Sequence, residues 1–252
     1  MSQRLIKMRV KVTAVQMDIT ADKQENMNKA IGYLKQADTS RMNLFVLPEV
    51  FNTGFNPQNY SSIKDLDEEL HPLLKFSSQA ENLVVVAGVA EKEKEKLYSS
   101  AVIIHQGEIT GKYRKNRIFP LTDEIKYFSP GDNEPEVYET PAGRLGPLVC
   151  YEVRFPLMSR ELTGRGAQIL VFPAQFPDAR IYHWTTLLKA RAIENQLFVV
   201  GVNCAGFGKS MIIDPWGEVL AEAGAGEEVI TAEIDLSKME EVRKKYPFLE
   251  MG

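Results

Sequence analysis

A cysteine, a glutamate and a lysine in separate segments of the chain are the residues best suited to carry chemistry. Cys150, Glu49 and Lys115 each lie near a predicted junction of strand and loop, where active-site groups of α/β proteins commonly gather. A thiolate is a nucleophile, a buried carboxylate can act as a general base, and an ammonium can stabilise negative charge on a substrate oxygen. The three types together indicate attack by sulfur on an electrophilic carbon.

Cys150 closes the apolar segment 146–150, and a helix is predicted to begin near Pro156 because proline suits the first position of a helix. Such a strand–turn–helix junction exposes a nucleophile at the end of a sheet and places backbone N–H groups beside it, which could stabilise an oxyanion. The alternative is a buried cysteine that serves as a small hydrophobic residue, the more common environment of a free thiol. The segment alone leaves both interpretations open.

Glu49 and Lys115 each admit two interpretations as well. Glu49 follows the apolar run 44–47, where burial would suit it to a general base, but it could instead be a loop carboxylate that caps a turn. Lys115 lies among four cations in six residues, a pattern typical of a solvated or anion-binding surface. Its apolar neighbours Tyr113 and Phe119 indicate that part of the segment faces inward, where a lysine beside a thiol would favour the thiolate.

Predicted strands and helices alternate along the chain, and these elements must position the three groups. Strands are predicted at 10–17, 44–47, 83–90, 98–105, 169–172, 197–203, 211–213 and 229–234, with one more ending at 148–149. Helices are predicted around 27–34, 63–74, 156–164 and 181–196. The alternating charges at 91–96 indicate a solvated hairpin tip, and Pro215-Trp216-Gly217 a turn between the last two strands. The pattern predicts one α/β domain over residues 1–252, without giving the strand order.

Composition excludes several classes of function. The chain has 252 residues, 30 of them basic and 34 acidic, and its net charge of −4 gives no global field for nucleic acid or a membrane surface. No apolar stretch approaches the ~20 residues that cross a bilayer, and residues 1–8 lack the hydrophobic core of a signal peptide. The two cysteines, Cys150 and Cys204, favour a reducing compartment, so we expect a cytoplasmic protein. His71, His105 and His183 are scattered, so we expect structural roles for them and no metal site.

The segments around the three reactive residues together resemble the nitrilase superfamily, also called the carbon–nitrogen hydrolases. The glutamate segment is Leu47-Pro48-Glu49, the lysine segment is Tyr113-Arg114-Lys115 with Phe119, and the cysteine segment is Val149-Cys150-Tyr151-Glu152-Val153-Arg154-Phe155-Pro156. Their order and separation also match. The resemblance continues through Arg191-Ala192-Ile193-Glu194-Asn195-Gln196, Asn203 and Asp214-Pro215-Trp216-Gly217, so it covers nearly the whole chain.

The resemblance implies a four-layer α-β-β-α sandwich that pairs through helices near the cysteine into a homodimer or a larger homo-oligomer. It implies that Glu49 takes the proton of Cys150, whose thiolate attacks an amide carbon, while Lys115 and the N–H of Tyr151 hold the oxyanion. Glu124 falls where family members carry a second acid near the lysine, and it is given a supporting role. The resemblance implies no metal and no cofactor.

The loop Pro173-Ala174-Gln175-Phe176 and the pair His183-Trp184 resemble the omega-amidase branch most, which implies a small α-keto acid amide such as 2-oxoglutaramate as substrate. We expect Phe176 and Phe55 to wall the pocket, and Arg180 or Arg117 to bind a substrate carboxylate, since a bidentate arginine–carboxylate pair suits that task. Either arginine could instead lie on the surface. The family often has histidine in place of Arg117, and the segment 203–210 is shorter than its usual counterpart.

Three other functions compete with this one. A hydrolase of N-carbamoyl amines or amino acids would release carbon dioxide as well as ammonia. A non-catalytic nitrilase-like protein would serve as a binding module, but it should have lost or buried its nucleophile, and the three central positions are intact here. A nucleotide-binding α/β domain lacks support, because the chain has neither a dinucleotide fingerprint nor a phosphate loop.

Overall fold

The strands of the protein form two six-stranded sheets. The computed structural model describes residues 9–250, so the prediction for residues 1–8 lies outside the described residues. The first sheet has the order β12-β1-β2-β3-β4-β5 and is built from β1 (Arg9–Gln16), β2 (Asn43–Leu47), β3 (Leu83–Glu93), β4 (Lys96–His105), β5 (Glu108–Arg114) and β12 (Glu228–Asp235). The second sheet has the order β11-β10-β9-β8-β7-β6 and is built from β6 (Tyr138–Thr140), β7 (Gly143–Pro147), β8 (Ile169–Pro173), β9 (Phe198–Val202), β10 (Met211–Ile213) and β11 (Val219–Glu222).

Seven α-helices accompany the sheets in the described part of the chain: α1 (Lys23–Leu34), α2 (Leu66–Glu69), α3 (His71–Ser77), α4 (Glu124–Tyr127), α5 (Pro156–Gly164), α6 (Ile181–Asn195) and α7 (Ser237–Lys245). In the central strands β1-β2-β3 and β7-β8-β9 the neighbours run parallel. Parallel neighbours bring their carboxyl ends to the same edge of each sheet, where connecting loops can build a site.

The alternation of side chains along the central strands explains the layers. In β2, Leu44 and Val46 belong to the core shared with the second sheet, whereas Phe45 and Leu47 pack with residues of α1 and α3. Successive residues of a strand point to opposite faces, so a strand that is buried on both sides reads as a continuous apolar run. Helices α5 and α6 cover the second sheet, where Trp184 and Leu188 are fully buried. The expected four-layer α-β-β-α sandwich is therefore confirmed.

The predicted helix at 63–74 is wrong in its extent. Residues 57–62 form a 3-10 helix, Ile63 is extended, and two short helices, α2 and α3, meet at Leu70. Pro72 lies in the first turn of α3. A proline lacks the N–H that a continuing helix would need and suits a first turn, so it starts a new helix here.

The predicted hairpin tip at 91–96 is also shorter than expected. Strand β3 continues to Glu93 and β4 begins at Lys96, so the turn occupies only the two residues between them. Glu91 is 3% exposed and accepts hydrogen bonds from Ser100, Lys112 and Arg114. The Glu91 carboxylate can be buried because Lys112 and Arg114 of β5 neutralise its charge.

In the second half, the strand predicted to end at 148–149 ends at Pro147, and Pro215-Trp216-Gly217 leads into β11, not directly into β12. The sequence patterns did not predict β5, β6, β11 or the C-terminal helix α7. In residues 9–250, no helix has the length and apolar character required to span a membrane.

Candidate active site

The carboxyl ends of β2, β7 and β8 meet at a cavity of about 380 Å³. Glu49 follows β2, Cys150 follows β7 and Gln175 follows β8, and all three line this cavity. Strand β2 belongs to one sheet and strands β7 and β8 to the other. The reactive groups therefore come together only when both sheets are packed.

Gly88 of β3 permits the close approach of the two sheets at this point. A Cβ atom at residue 88 would lie 2.5 Å from the carbonyl oxygen of Pro48, 2.6 Å from the Cα of Glu49 and 2.8 Å from Pro173 of β8. Distances this short between non-bonded heavy atoms are repulsive. Only glycine therefore allows the Glu49 loop and the end of β8 to lie against β3.

Lys115 lies immediately after β5 and is buried, with 1% of its surface exposed. Its backbone N–H donates to the carbonyl of Ser99 at 2.8 Å, which continues the pairing of β5 with β4. Its Nζ donates to Glu49 Oε1 at 2.9 Å and to Glu124 Oε1 at 2.6 Å. One ammonium thus bridges two buried carboxylates.

Glu49 is held from several directions. Its Oε1 also accepts a hydrogen bond from the Ser99 hydroxyl at 3.0 Å, and its Oε2 accepts one from the N–H of Gln175 at 3.2 Å. The Gln175 side chain donates to the backbone carbonyl of Glu49 at 2.8 Å. The same Gln175 N–H lies within hydrogen-bonding reach of Cys150. A carboxylate fixed in this way can receive a proton without a change of rotamer.

Cys150 occupies a sharp elbow. Its φ of +46° is in the left-handed region, which a residue with a Cβ adopts at a cost of roughly 1–2 kcal/mol. A 3-10 helix at Cys150–Arg154 follows directly, and α5 begins at Pro156 as predicted. Backbone strain of this kind gathers at functional positions. The elbow turns the thiol of a buried segment toward the cavity.

The protonation states follow from burial and neighbouring charge. Burial and the Glu49 carboxylate raise the pKa of the Cys150 thiol well above its usual value, and Lys115 opposes that rise. Burial alone would lower the pKa of Lys115, but Glu49 and Glu124 raise it, so the ammonium keeps its charge. Burial and Glu49 raise the pKa of Glu124 to about 7, against the effect of Lys115. The resting site therefore holds a neutral thiol beside a charged ammonium.

Aromatic side chains form most of the cavity wall. Phe55 and Phe176 line it as predicted, and so do four aromatic residues that sequence patterns did not single out as pocket walls: Tyr60, Phe119, Tyr127 and Phe207. Phe207 belongs to the short loop 203–210, so that loop contributes a wall. Tyr151 also lines the cavity and packs edge-on against Phe119, with 5.0 Å between ring centroids. An apolar wall with few polar groups is typical of a small-molecule site.

Two arginines line the cavity, and one of them differs from the expectation. Arg180 lies over the ring of Phe119 at 4.7 Å, and Arg154 over the ring of Phe176 at 5.3 Å. Arg117 does not line this cavity. Its side chain is exposed and lies over Phe155 at 5.5 Å, in a separate and more open groove. Tyr151 borders both that groove and the cavity, and the arginine that lines the cavity together with Arg180 is Arg154.

Several groups around the site lie outside the predicted set. Ser99 and Gln175 hold Glu49, and Glu152 lies two residues after the cysteine without lining the cavity. Buried polar residues leave a weak signal in a single sequence, because their partners are distant along the chain. Glu152 carried the strongest signal of the three, as a carboxylate inside the cysteine segment 149–156.

The remaining cysteine and histidines lie outside the cavity. Cys204 is a buried free thiol two residues after β9 and does not line the cavity. His105 contacts the carbonyl of Leu83, and His183 contacts Arg154 at 3.1 Å. Within residues 9–250, no group of three His, Cys, Asp or Glu side chains is arranged to hold a metal ion.

Comparison with known proteins gives consistent results. The carbon-nitrogen hydrolase family model matches residues 11–244. The chain is 37% identical to 2-oxoglutaramate amidase of Bacillus subtilis (strain 168) over 250 residues, which cover 95% of this chain and 96% of that protein. It is 29% identical to omega-amidase NIT2 of Homo sapiens, with coverage of 94% and 92%. The crystal structure of Saccharomyces cerevisiae Nit3, a member of branch 10 of the nitrilase superfamily, superimposes with a TM-score of 0.87 at 27% identity, covering 98% of this chain and 97% of that one.

Proposed function

The chain belongs to the carbon–nitrogen hydrolase family, and we propose that it hydrolyses the terminal amide of a small carboxylate-bearing substrate through a cysteine thioester, with release of ammonia. The observation that carries the proposal is the Lys115 ammonium, which bonds to Glu49 and Glu124 beside a cavity that also exposes Cys150. The two relatives named as amidases of 2-oxoglutaramate or of omega-amides support an amide of that class.

Acylation begins with proton transfer from Cys150 to Glu49. The raised pKa of the Cys150 thiol keeps the proton on sulfur at neutral pH, so attack on the amide carbon requires a base. As the sulfur–carbon bond forms, negative charge moves to the carbonyl oxygen, where Lys115 and the N–H of Tyr151 stabilise it. Loss of one such donor typically costs about 3 kcal/mol of transition-state stabilisation.

The tetrahedral intermediate then collapses. The carbon–nitrogen bond breaks, Glu49 returns its proton to the departing nitrogen, and ammonia leaves the thioester on Cys150. Water attacks the thioester carbon while Glu49 takes its proton, and the sulfur leaves as the thiol when that proton passes to it. The net reaction is amide plus water to carboxylic acid plus ammonia. Glu124 holds Lys115 in place during both steps.

Two arginines in the cavity lining suit a substrate carboxylate. Arg154 and Arg180 are the two cations in the cavity lining, and each lies over an aromatic ring that limits its motion. A guanidinium presents paired N–H donors that match the two oxygens of a carboxylate. A cavity of about 380 Å³ accommodates a substrate of a few carbons with an amide at one end and a carboxylate at the other.

A panel of primary amides with and without a terminal carboxylate tests this proposal through ammonia release. The parent protein should prefer 2-oxoglutaramate over a neutral amide of the same length. Arg154→Ala and Arg180→Ala should each weaken that preference by about 10-fold or more, as expected for loss of a charged hydrogen bond. Arg117→Ala is the matched control, since its side chain lies outside the cavity, and it should keep the preference.

Two further results would count against the proposal. Carbon dioxide released together with ammonia from ureido compounds would indicate an N-carbamoyl hydrolase. No turnover of any amide, with Cys150 resistant to alkylation, would indicate a non-catalytic binding module.

We also propose a single domain over residues 1–252 and a homodimer formed through α5 and α6. Leu157, Tyr182 and Ile193 are large apolar side chains of these helices, and they are 80%, 75% and 54% exposed. Large exposed apolar side chains on neighbouring helices are typical of an interface. Light scattering should give the mass of a dimer, and the double variant Leu157→Glu, Tyr182→Glu should give a monomer.

The two free thiols suit a reducing compartment, for which we propose the cytoplasm.

A further inference from the structure

We infer that Glu152 is a positioning residue for the proposed reaction, because one carboxylate ties the segment that carries Lys115 to the elbow that carries Cys150. The inference rests on the proposed function, because it concerns how the Lys115 ammonium and the Cys150 thiol are held at a fixed separation for that reaction. Glu152 is fully buried and does not line the cavity, and both of its carboxylate oxygens accept hydrogen bonds from groups of the chain itself.

The Glu152 carboxylate accepts four hydrogen bonds. Its Oε1 accepts from the hydroxyl of Tyr113 at 2.7 Å, the N–H of Asn116 at 2.8 Å and the N–H of Arg117 at 3.1 Å. Its Oε2 accepts from the N–H of Val149 at 2.7 Å. All four donors belong to the two segments in question.

The donors to Glu152 lie beside Lys115 and Cys150 in the chain. Tyr113 precedes Lys115 by two residues, and Asn116 and Arg117 follow it directly, so one oxygen fixes the chain on both sides of the lysine. Val149 is the residue before Cys150 and begins the strained elbow. The lysine segment leaves the first sheet and the cysteine segment leaves the second. Glu152 therefore spans the junction between the sheets.

The ion pairs of Lys115 with Glu49 and Glu124 would not replace the hydrogen bonds of Glu152. Lys115 is also held by Glu49 and Glu124, but neither acid is hydrogen-bonded to the backbone of the cysteine elbow. Without Glu152, the ammonium would keep its carboxylate partners while the elbow lost its anchor at Val149. A displacement of about 1 Å between reacting groups can cost on the order of 100-fold in rate.

The substitution Glu152→Gln tests the role with almost no change of volume. An amide has only one acceptor oxygen, so its NH2 group must face either the N–H of Val149 or the three donors at Oε1. In both orientations a buried donor meets another donor, and one of the two segments is released. Tyr113→Phe is the milder companion, because it removes one of the four donors and leaves the carboxylate.

The control is Asp214→Asn. Asp214 is likewise fully buried, and its Oδ1 accepts backbone N–H bonds from Trp216 at 2.8 Å and Glu218 at 2.9 Å, but it does not line or border the cavity. Its substitution should lower the melting temperature in the way that loss of any such buried acceptor does. It should leave the chemistry at Cys150 unchanged.

The experiment uses the full chain of the parent protein and the three variants, below their melting temperatures. Steady-state hydrolysis of 2-oxoglutaramate gives kcat and KM, and the rate of Cys150 alkylation by iodoacetamide is followed against pH by mass spectrometry. Glu152→Gln should lower kcat by about 100-fold with little change in KM. Its alkylation profile should move to higher pH, because the sulfur loses the nearby ammonium that favours the thiolate. Tyr113→Phe should change both quantities in the same direction by a smaller factor.

The inference is overturned if Glu152→Gln loses thermal stability as Asp214→Asn does but keeps the parent kcat and the parent alkylation profile. If Glu152→Gln does not fold, Tyr113→Phe decides by the same two quantities. The alkylation profile needs no substrate. A parent protein that hydrolyses no amide would therefore contradict the proposed function, while the profiles would still test Glu152.

Discussion

At the scale of single residues, the site depends on one ammonium between two acids. Lys115 and its partners Glu49 and Glu124 are all buried, and removing them from water costs several kcal/mol per ion. Mutual attraction and hydrogen bonds at 2.6 and 2.9 Å offset that cost. The attraction offsets the cost of burial only while all three charged groups are present, so a change of one residue should affect both the stability of the fold and the chemistry of the site.

Lys115→Met should therefore be strongly destabilised as well as inactive. It leaves two buried carboxylates without the cation between them, which we expect to lower the free energy of unfolding by about 3–5 kcal/mol. Denaturant unfolding followed by circular dichroism measures this change. Lys112→Met is the matched control, since Lys112 lies on β5, is a third exposed and pairs with Glu91, which keeps Arg114. Equal loss of stability in the two variants would contradict the account.

At the scale of the elements, two packed sheets deliver the reactive residues from distant parts of the chain. The sequence predicted the central strands well, because β1, β2, β3, β4, β8 and β9 are apolar runs that a buried strand requires. It missed β5, β6 and β11, which are edge strands of the two sheets. Their solvent-facing residues, glycines and charges interrupt the hydrophobic pattern, so periodicity alone could not reveal them.

The candidate site could be predicted from the sequence in part. Glu49, Lys115, Cys150 and Glu124 were found because their segments resemble those of a family, and the structure brings them together. Arg154 was not among the predicted residues, and Arg117 was an alternative to Arg180 that lies outside the cavity, since a sequence does not show which side of a segment faces the cavity. Ser99 gave no signal and Gln175 was noted only as part of the loop 173–176, because each acts through a hydrogen bond to a residue that is remote in the chain.

Gly88→Ala tests the contact between the sheets. The added methyl group would lie 2.6 Å from the Cα of Glu49, so the loop that carries this residue must move. We expect a kcat reduced by about 10- to 100-fold and a destabilisation of about 1–3 kcal/mol from overpacking. Gly32→Ala is the control, because Gly32 is helical and a Cβ there meets nothing within 4 Å. A Gly88→Ala protein with parent kcat would show that the close approach is not needed for positioning.

At the scale of the whole molecule, the buried acids make stability depend on pH. Burial and Glu49 raise the pKa of Glu124 from an ordinary value of 4.5 to about 7. Between these two values the folded protein binds more protons than the unfolded chain, so the free energy of unfolding falls as pH rises through this range. The stabilising contribution is complete below pH 4.5 and lost above pH 7.

Glu124→Gln should remove this dependence. We expect the parent protein to lose about 1–3 kcal/mol more than the variant between pH 5 and pH 7.5, a difference that follows from the shift in the pKa of Glu124. Chemical denaturation at a series of pH values measures it, and the difference between the two proteins cancels the contributions of groups that do not interact with Glu124. Parallel curves for the two proteins would mean that Glu124 titrates normally.

The proposal depends most directly on a covalent bond between substrate and Cys150. Acid quenching during turnover of 2-oxoglutaramate, followed by peptide mass spectrometry, should show the acyl group on the peptide that contains Cys150. Cys150→Ala should be folded, form no adduct and release no ammonia, whereas Cys204→Ser should form the adduct and remain active. Ammonia release by a folded Cys150→Ala protein, or an adduct on any other residue, would contradict the mechanism.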